Sequence, residues 1–322
     1  MKEGIKMTSV IFMGTPKFSV PVLQGLVDNH YDILAVVTQP DRPVGRKHKI
    51  TPSPVKQLAT ELNLPVLQPE KLSGSEELEQ LIAMQPDLIV TAAFGQFLPS
   101  KLLAAAKIAA VNVHGSLLPK YRGGAPVQYA IMNGDAETGI TIMYMEKKMD
   151  AGDILAQQAI AIGPDDDVAT MFDKLSIVGR DLLLTTLPKV IDGSIVSIPQ
   201  EEDQVVFSPN IQPDQEKLDF TQPARLVDAK VRGLRPAPGA YVSFNGQRTK
   251  IWQTTPLTET TDLQPGQIVK KTKHQLWVAA GEHSVLQLEV IQPAGKPKQD
   301  ITAYLNGSGQ NLKEEQQVIF NE

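Results

Sequence analysis

The chain has 322 residues, 42% of them hydrophobic, and a formal net charge of −5. This length favours two domains over one, and the negative charge excludes a protein that binds nucleic acid through overall positive charge. The sequence contains no cysteine, which excludes disulfides, thiolate nucleophiles and cysteine-based zinc sites.

The chain begins without the pattern of an exported or membrane-bound protein. The first apolar run, VIFM, is too short for the core of a signal peptide. No later run approaches the roughly 18 apolar residues that a membrane helix requires. We therefore expect a cytoplasmic protein with no membrane partner.

Strand-like and helix-like segments alternate through the first half of the chain. Ser53 is predicted to cap one helix with Pro54 in its first turn, and Ser73 stands three residues before Glu76, the spacing of a capping box. The predicted strands are SVIFM, ILAVVTQ, DLIVTAAF, AAVNVHG and GITIMYME. The predicted helices are VPVLQGLVDN, SPVKQLATEL, SGSEELEQLIAM, PSKLLAAA and APVQYAIM.

These strands are continuous apolar runs, which is typical of strands buried on both faces of a parallel sheet. Their alternation with helices predicts an α/β fold with a doubly wound, mostly parallel sheet. In such sheets ligands bind beyond the carboxyl ends of the strands. The segments VNVHGSLLP, TQPDRP and YMEKKMDAG are expected at those ends.

The second half of the chain has a different sequence pattern. The stretch from Asp165 to Gly193 is predicted to be a long helix with an acidic start. Residues 194–213, rich in proline and polar residues, are predicted to be a linker. From residue 214 short strands recur, and Asn245-Gly246 signals a hairpin, which together predict a small antiparallel, OB-like β-barrel. The expected domains are 1–193 and 214–322.

Three polar side chains stand out as candidate catalytic groups. Asn112 and His114 are two residues apart and share one face of a predicted strand, and Asp150 follows the next strand. An asparagine amide can bind a developing oxyanion, a histidine can transfer a proton, and a carboxylate can orient the imidazole. A structural asparagine and histidine are the alternative, but the shared face and the later carboxylate favour acyl-type transfer without a covalent enzyme adduct.

Other kinds of site have weaker support. Because no G-x-S-x-G occurs, Ser116 is interpreted as a loop hydroxyl and not as a nucleophile. The phosphate-binding glycine motifs are absent, and the sequence predicts no metal site because its histidines lack paired ligand spacing. The loop from Asp41 to Lys49 holds four cations, which we interpret as a clamp for an anion or a nucleic acid; a solvated basic loop is the alternative. They are Arg42, Arg46, Lys47 and Lys49.

Several long motifs together resemble a known family. NVHGSLLPKYRGGAP, GDAETGITIM and MDAGDIL, in this order, are similar to the 10-formyltetrahydrofolate-dependent formyltransferases. IFMGTPKFSVPVL, TQPDRPVGR and TPSPVKQLA resemble the members of this family that act on methionyl-tRNA. The resemblance runs over nearly the whole chain. One departure is RPAPG, where similar proteins often carry a tryptophan at the position of Ala237.

The resemblance implies a formyltransferase fold of Rossmann-like type and assigns roles to residues. Asn112, His114 and Asp150 correspond to the family's catalytic residues. The cations of the basic loop correspond to its tRNA contacts, with Arg46 the main side chain. The OB-like domain is expected to help hold tRNA. The folate-binding segment of the family falls on Ser116, Leu117, Leu118 and Pro119.

The expected reaction is transfer of the formyl group of 10-formyltetrahydrofolate to the amino group of methionyl-initiator tRNA, through a tetrahedral intermediate and without a metal. We expect a monomer. Two alternatives remain: transfer to another amine, of a sugar nucleotide or of glycinamide ribonucleotide, and a non-catalytic RNA-binding protein. The Asn112, His114 and Asp150 constellation argues against the last, because a protein that only binds has no use for it.

Overall fold

The computed structural model describes residues 7–45 and 48–320. The chain divides into two compact units. The first runs to Pro126 and includes Thr138–Ile160 and Phe172–Pro209, and the second contains Val127–Glu137, Ala161–Met171 and the residues from Asn210 onward. Within the described ranges no helix is both long and apolar enough to span a membrane.

Eight helices and fifteen strands are named for the described residues. The helices are α1 (Val20–Asp28), α2 (Pro54–Glu61), α3 (Glu76–Ala83), α4 (Ser100–Leu103), α5 (Pro126–Met132), α6 (Val168–Ile191), α7 (Ala224–Gly233) and α8 (Ile301–Leu305). The strands are β1 (Ser9–Gly14), β2 (Asp32–Val37), β3 (Arg42–Val44), β4 (Lys49–Thr51), β5 (Val66–Leu67), β6 (Leu88–Ala92), β7 (Ala109–His114), β8 (Glu137–Tyr144), β9 (Ile154–Ala161), β10 (Tyr241–Phe244), β11 (Gln247–Thr260), β12 (Ile268–Lys271), β13 (Leu276–Ala279), β14 (Ser284–Pro293) and β15 (Gln299–Asp300).

The first unit is built on a seven-stranded sheet in the order β5-β2-β1-β6-β7-β8-β9. The neighbours from β5 to β7 are all parallel. The chain adds β2 and β5 on one side of β1 and β6 and β7 on the other, so the strand order reverses between β1 and β6. The doubly wound, mostly parallel sheet is confirmed, and sheets of this kind bind ligands beyond the carboxyl ends of the strands where the order reverses.

The core of this unit explains why the strands are continuous apolar runs. Every residue of β6 is buried, and β1 is buried after its first residue. A strand covered on both faces needs apolar side chains at every position. One core cluster joins Ile11 and Met13 of β1 to Ile89 of β6 and to Leu78 and Leu81 of α3.

One strand runs in the direction opposite to the expected one. β8 is antiparallel to β7, with His114 opposite Thr141 and Val111 opposite Tyr144. The end of β8 therefore lies beside the amino-terminal half of β7, where the amide of Met145 donates to the carbonyl of Ala110. The expectation that the segment around Asp150 follows a parallel strand end was wrong, because an apolar run shows burial and not strand direction.

Of the two helix caps that the sequence predicts, one is confirmed and the other is wrong. Ser53 caps α2 as expected, and its side chain accepts a hydrogen bond from the amide of Lys56. The capping box at Ser73 was wrong, because the residue that caps α3 is Ser75, whose hydroxyl accepts from the amide of Leu78. Gly74 takes a left-handed backbone with φ of 86°, which separates Ser73 from the helix.

The second unit contains a six-stranded antiparallel sheet in the order β10-β11-β14-β13-β12, with β15 paired to β14. The carboxyl-terminal segment closes this sheet, because Ile319 bridges Phe244 of β10 while Gln317 bridges Gln267 beside β12. Its apolar interior includes the packed side chains of α7 and α8. The hairpin prediction is confirmed: β10 and β11 are joined by Asn245 and Gly246, both with positive φ.

The stretch predicted as a linker is divided between the two units, and residues up to Pro209 belong to the first. Ile198 exchanges two backbone hydrogen bonds of 2.8 Å with Ile154, the first residue of β9. Phe207 pairs with Arg122 in a parallel bridge. Proline and polar residues here mark a segment that is mostly without regular secondary structure but is hydrogen-bonded to β9 and to the loop after β7.

Candidate active site

The carboxyl half of β7 carries the first two candidate residues. Asn112 lies opposite Thr91 of β6 in the parallel register. The Thr91 hydroxyl donates a 2.8 Å hydrogen bond to Asn112 Oδ1. The carbonyl side of the Asn112 amide is thereby anchored, which leaves its Nδ2 group as the donor that faces away from Thr91.

His114 is the last residue of β7, and its side chain is 6% exposed. Its Nε2 lies 3.0 Å from the backbone oxygen of Tyr121. A carbonyl oxygen only accepts, so Nε2 carries a proton and Nδ1 is the ring nitrogen at which a second proton can be gained or lost. His114 Nδ1 lies 3.8 Å from Asp150 Oδ1, longer than a hydrogen bond but close enough for direct charge interaction.

Asp150 reaches His114 from the loop between β8 and β9. Its backbone is left-handed with φ of 49°, an uncommon conformation for a residue with a side chain. Its Oδ2 accepts a 2.9 Å hydrogen bond from the amide of Gly123, so that Oδ1 remains directed to His114. Its backbone oxygen accepts a 2.9 Å hydrogen bond from the Gln200 side-chain amide. Within the expected trio, the structure therefore places the His114 imidazole next to the Asp150 carboxylate.

The segment from Ser116 to Pro119 forms a tight loop after β7. Ser116 is fully buried, and its hydroxyl donates to the backbone oxygen of Lys120 at 2.7 Å. Leu118 packs in a small cluster with Met143 and Ile154. Leu117 and Pro119 are partly exposed. The loop can therefore offer apolar side chains to a ligand through Leu117 and Pro119, while Ser116 and Leu118 maintain its shape.

The described residues of the basic loop include β3, which pairs antiparallel with β4. The base of this loop is held by an ion pair of 2.7 Å between Lys56 and Asp41, and the hydrogen bonds that Asp41 accepts from Gln68 and Lys56 lower the pKa of its carboxyl. The Arg42 guanidinium donates two hydrogen bonds to the Glu70 carboxylate, which pairs its positive charge with a negative one. Lys49 is exposed and has no ion-pair partner among the residues described.

Arg46 and Lys47, the remaining cations of the basic loop, lie outside the described residues. In the second unit, Arg232 pairs with Asp228 at 2.7 Å and Arg235 pairs with Asp167 at 2.8 Å, so both guanidinium groups stabilise the unit itself. Ala237 is exposed in the segment before β10. Within residues 7–45 and 48–320 no group of three or more His, Asp or Glu side chains is placed to hold a metal ion.

Four residues that contact the candidate trio are additions from the structure. Thr91 anchors Asn112, Gly123 binds Asp150, the backbone of Tyr121 binds His114, and Gln200 holds the backbone of Asp150. Thr91 has a weak signal in the sequence, as the single polar residue in the run LIVTAAF. Gln200 has none, because a glutamine in a polar stretch gives no indication of its partners.

Comparison with known proteins identifies similar chains. The family model for formyl transferases matches residues 7–187, and the model for the formyl transferase carboxyl-terminal domain matches residues 210–309. Methionyl-tRNA formyltransferase of Pediococcus pentosaceus is 63% identical over 317 residues, covering 98% of this chain and 99% of the relative. The enzyme of the same name from Levilactobacillus brevis is 64% identical over 312 residues, covering 97% and 99%.

A solved structure has the same fold at much lower identity. The N-formyltransferase from Helicobacter canadensis, in complex with folinic acid and dTDP-3-aminofucose, has a TM-score of 0.69 and 18% identity, covering 89% of this chain and all of that chain. At this level of identity the likeness concerns the fold alone.

Proposed function

The chain belongs to the methionyl-tRNA formyltransferases, and from this membership we propose that Asn112, His114 and Asp150 catalyse transfer of a formyl group from a folate to methionyl-tRNA. The observation that carries the assignment of these residues is the buried His114, which has one ring nitrogen bound to a carbonyl oxygen and the other 3.8 Å from the Asp150 carboxylate. This arrangement suits a proton relay next to an anchored amide donor.

We propose 10-formyltetrahydrofolate as the form of the folate, because its N10-formyl group is the carbonyl that an amine can attack. When bound, the folate supplies the formyl carbon and, after transfer, accepts a proton on N10. The donor set fits this group: Asn112 Nδ2 can face a carbonyl oxygen, while Leu117 and Pro119 offer apolar surface. Leu118 and Ser116 would act through the shape of the loop.

Asn112 is proposed to bind the oxygen that becomes negative as the formyl carbon turns tetrahedral. Because Thr91 already holds Oδ1, the Nδ2 donor is oriented before the substrates bind. Stabilisation of a developing charge by such preorganised donors is usually the largest single contribution to an enzyme's rate enhancement. We expect Asn112→Ala to lower turnover on the order of 10²–10³-fold.

His114 and Asp150 are proposed to move the proton that the reaction must transfer. The attacking amine loses one proton as the new C–N bond forms, and N10 gains one as the old C–N bond breaks. Since Nε2 donates to Tyr121, the relay uses His114 Nδ1, and a proton there lies between the ring and Asp150. The carboxylate stabilises the charged imidazolium and fixes its orientation.

The basic loop is proposed to bind tRNA phosphates through Lys49 together with Arg46 and Lys47, while Arg42 anchors the loop through Glu70. Phosphate contacts of this kind raise affinity in a salt-dependent way. We expect Lys49→Ala to raise KM for tRNA more at low salt than at high salt, because losing one phosphate contact makes the salt dependence shallower, and to leave KM for the folate unchanged. Lys107→Ala is the control, because this exposed lysine lies just before β7, at the amino end of that strand and outside the basic loop.

The deciding assay measures release of tetrahydrofolate from 10-formyltetrahydrofolate with three acceptors: methionyl-initiator tRNA, a sugar-nucleotide amine and glycinamide ribonucleotide. Turnover that requires the charged initiator tRNA supports the proposal. Faster turnover with either small amine would mean that this amine, and not the tRNA, is the acceptor, while the proposed formyl-transfer chemistry would stand. No turnover with any acceptor would favour the RNA-binding alternative.

The same assay tests the residues. Near-normal turnover in Asn112→Ala, His114→Ala and Asp150→Ala would refute the assigned roles, even if the wild type formylates tRNA. We further propose that the chain acts in the cytoplasm, where charged tRNA is used, and that it is a monomer. Light scattering at working concentration measures the second point directly.

A further inference from the structure

The segment from Ile198 to Ser208 is hydrogen-bonded to both groups that face His114. Gln200 binds the backbone of Asp150, and Ser208 binds the backbone of Tyr121. We propose that this segment, which resembles a linker in sequence, is a positioning element for the His114–Asp150 pair, with Gln200 as its principal residue. The inference rests on the proposed function of that pair.

The side-chain amide of Gln200 is fully used. Its Nε2 donates to the backbone oxygens of Asp150 at 2.9 Å and Gly152 at 2.8 Å. Its Oε1 accepts a 2.9 Å hydrogen bond from Arg122 Nε. One glutamine thus ties together both sides of the turn that contains Asp150. Truncating this side chain would leave partners on both sides unsatisfied.

Asp150 needs this restraint because its backbone conformation is unfavourable on its own. A residue with a side chain is uncommon in the left-handed conformation and stays there only where its surroundings hold it. Here Gln200 holds the backbone oxygen, and Gly123 holds the carboxylate. Release of the backbone would let the turn relax and move Oδ1 away from His114 Nδ1.

Arg122 connects the two ends of the segment. Its side chain is 1% exposed, and both terminal nitrogens lie 3.1 Å from Glu202 Oε1. Its backbone pairs with the segment as well, because its amide donates to Val206 and its carbonyl accepts from Ser208. A buried guanidinium needs a nearby carboxylate, so the pair holds the segment against the loop after β7.

Ser208 acts on the other side of His114. It is fully buried, and its hydroxyl donates to the Tyr121 oxygen at 3.0 Å. The same oxygen accepts from His114 Nε2. Tyr121 is itself left-handed, with φ of 65°. The carbonyl that orients the imidazole is thus held in place by the segment, as is the carboxylate.

The test is Gln200→Glu, an isosteric change that keeps the acceptor for Arg122 and removes the donor to Asp150 and Gly152. We expect kcat to fall on the order of 10- to 100-fold, as small displacements of catalytic groups do, with KM for the folate and for tRNA unchanged within about twofold. The thermal midpoint should fall, because the new carboxylate oxygen faces the carbonyl oxygens of Asp150 and Gly152, so kcat is compared at a temperature at which the variant is fully folded. Gln204→Glu, at an exposed position of the same segment, is the matched control.

A double-mutant cycle separates positioning from general damage. In the Asp150→Asn background, Gln200→Glu should change kcat by less than about twofold, because its effect acts through the Asp150 carboxylate. Wild-type kcat in Gln200→Glu, or losses that multiply fully in the double variant, would overturn the inference. A wild-type protein that releases no tetrahydrofolate with charged tRNA would instead overturn the proposed function.

Discussion

Gly123 is the position where one added methyl group should disturb both the fold and the site. Its φ is 130°, and a Cβ built there would lie 2.5 Å from the backbone oxygen of Ser208 and 2.9 Å from its carbonyl carbon. Both neighbours are backbone atoms of a hydrogen-bonded segment and have no flexible end that can turn away. Gly123→Ala must therefore shift the chain by several tenths of an ångström.

The expected cost combines two effects. The backbone conformation costs a residue with a side chain about 1–3 kcal/mol, and the overpacking costs a similar amount, so we expect a loss of roughly 2–5 kcal/mol in the free energy of unfolding. For a unit of this size that corresponds to a fall of the thermal midpoint on the order of 10 °C. Because the Gly123 amide donates to Asp150 Oδ2, kcat should fall on the order of tenfold or more at temperatures where the variant stays folded.

The assays are differential scanning calorimetry and steady-state formylation. Gly74→Ala is the matched control, because Gly74 has φ of 86° but no atom within 4 Å of an added Cβ. It should show only the backbone cost of about 1–3 kcal/mol, without the overpacking, and leave kcat unchanged. A Gly123→Ala protein as stable and as active as Gly74→Ala would refute the reasoning, since collision with Ser208 is the difference between the two sites.

Three further predictions follow from other contacts. Thr91→Val removes the donor that anchors Asn112 Oδ1, and we expect kcat to fall about tenfold with little change in either KM; an unchanged kcat in steady-state assays would mean that the amide is oriented by other groups. Ser75→Ala should lower the free energy of unfolding by about 1 kcal/mol while Ser73→Ala leaves it unchanged, and denaturant titration giving the reverse order would restore the capping box that the structure contradicts. Hydrogen bonds from Lys148 and Arg122 lower the pKa of Glu202, so the stability that this carboxylate provides is present above its unfolded pKa, near 4.5, and is lost as the pH falls through the folded value; Glu202→Gln should flatten this part of the pH–stability curve measured by denaturation, and an identical curve would contradict the role of the pair.

Many elements of both units were predictable because their signals are local or periodic. The apolar runs of β1, β2, β6 and β7 gave the strands, and Ser53 before Pro54 gave the start of α2. The hairpin between β10 and β11 followed from Asn245-Gly246, since those residues tolerate positive φ. In each of these cases the sequence stretch contains both the residues that form the element and the residues that end it.

The direction of β8 and the role of the segment after α6 were not predictable in this way. A buried strand is apolar whichever way it runs, so the antiparallel β8 has no distinguishing pattern. The proline-rich segment has few apolar residues, and its contacts are backbone hydrogen bonds together with the side chains of Gln200 and Ser208. Backbone groups are the same at every residue, so their partners leave no trace in composition.

The sequence by itself determined which chemical groups are available: an amide and an imidazole on one face of β7, a later carboxylate, and a loop of cations. Only the tertiary structure decided that the Asp150 carboxylate lies 3.8 Å from His114 Nδ1, that Nε2 is bound to a carbonyl, and that Arg42 pairs with Glu70. The physical reason is distance along the chain. Contacts between neighbouring residues follow from local propensity, whereas contacts across tens of residues depend on strand order and loop path, which the packing of the whole unit selects.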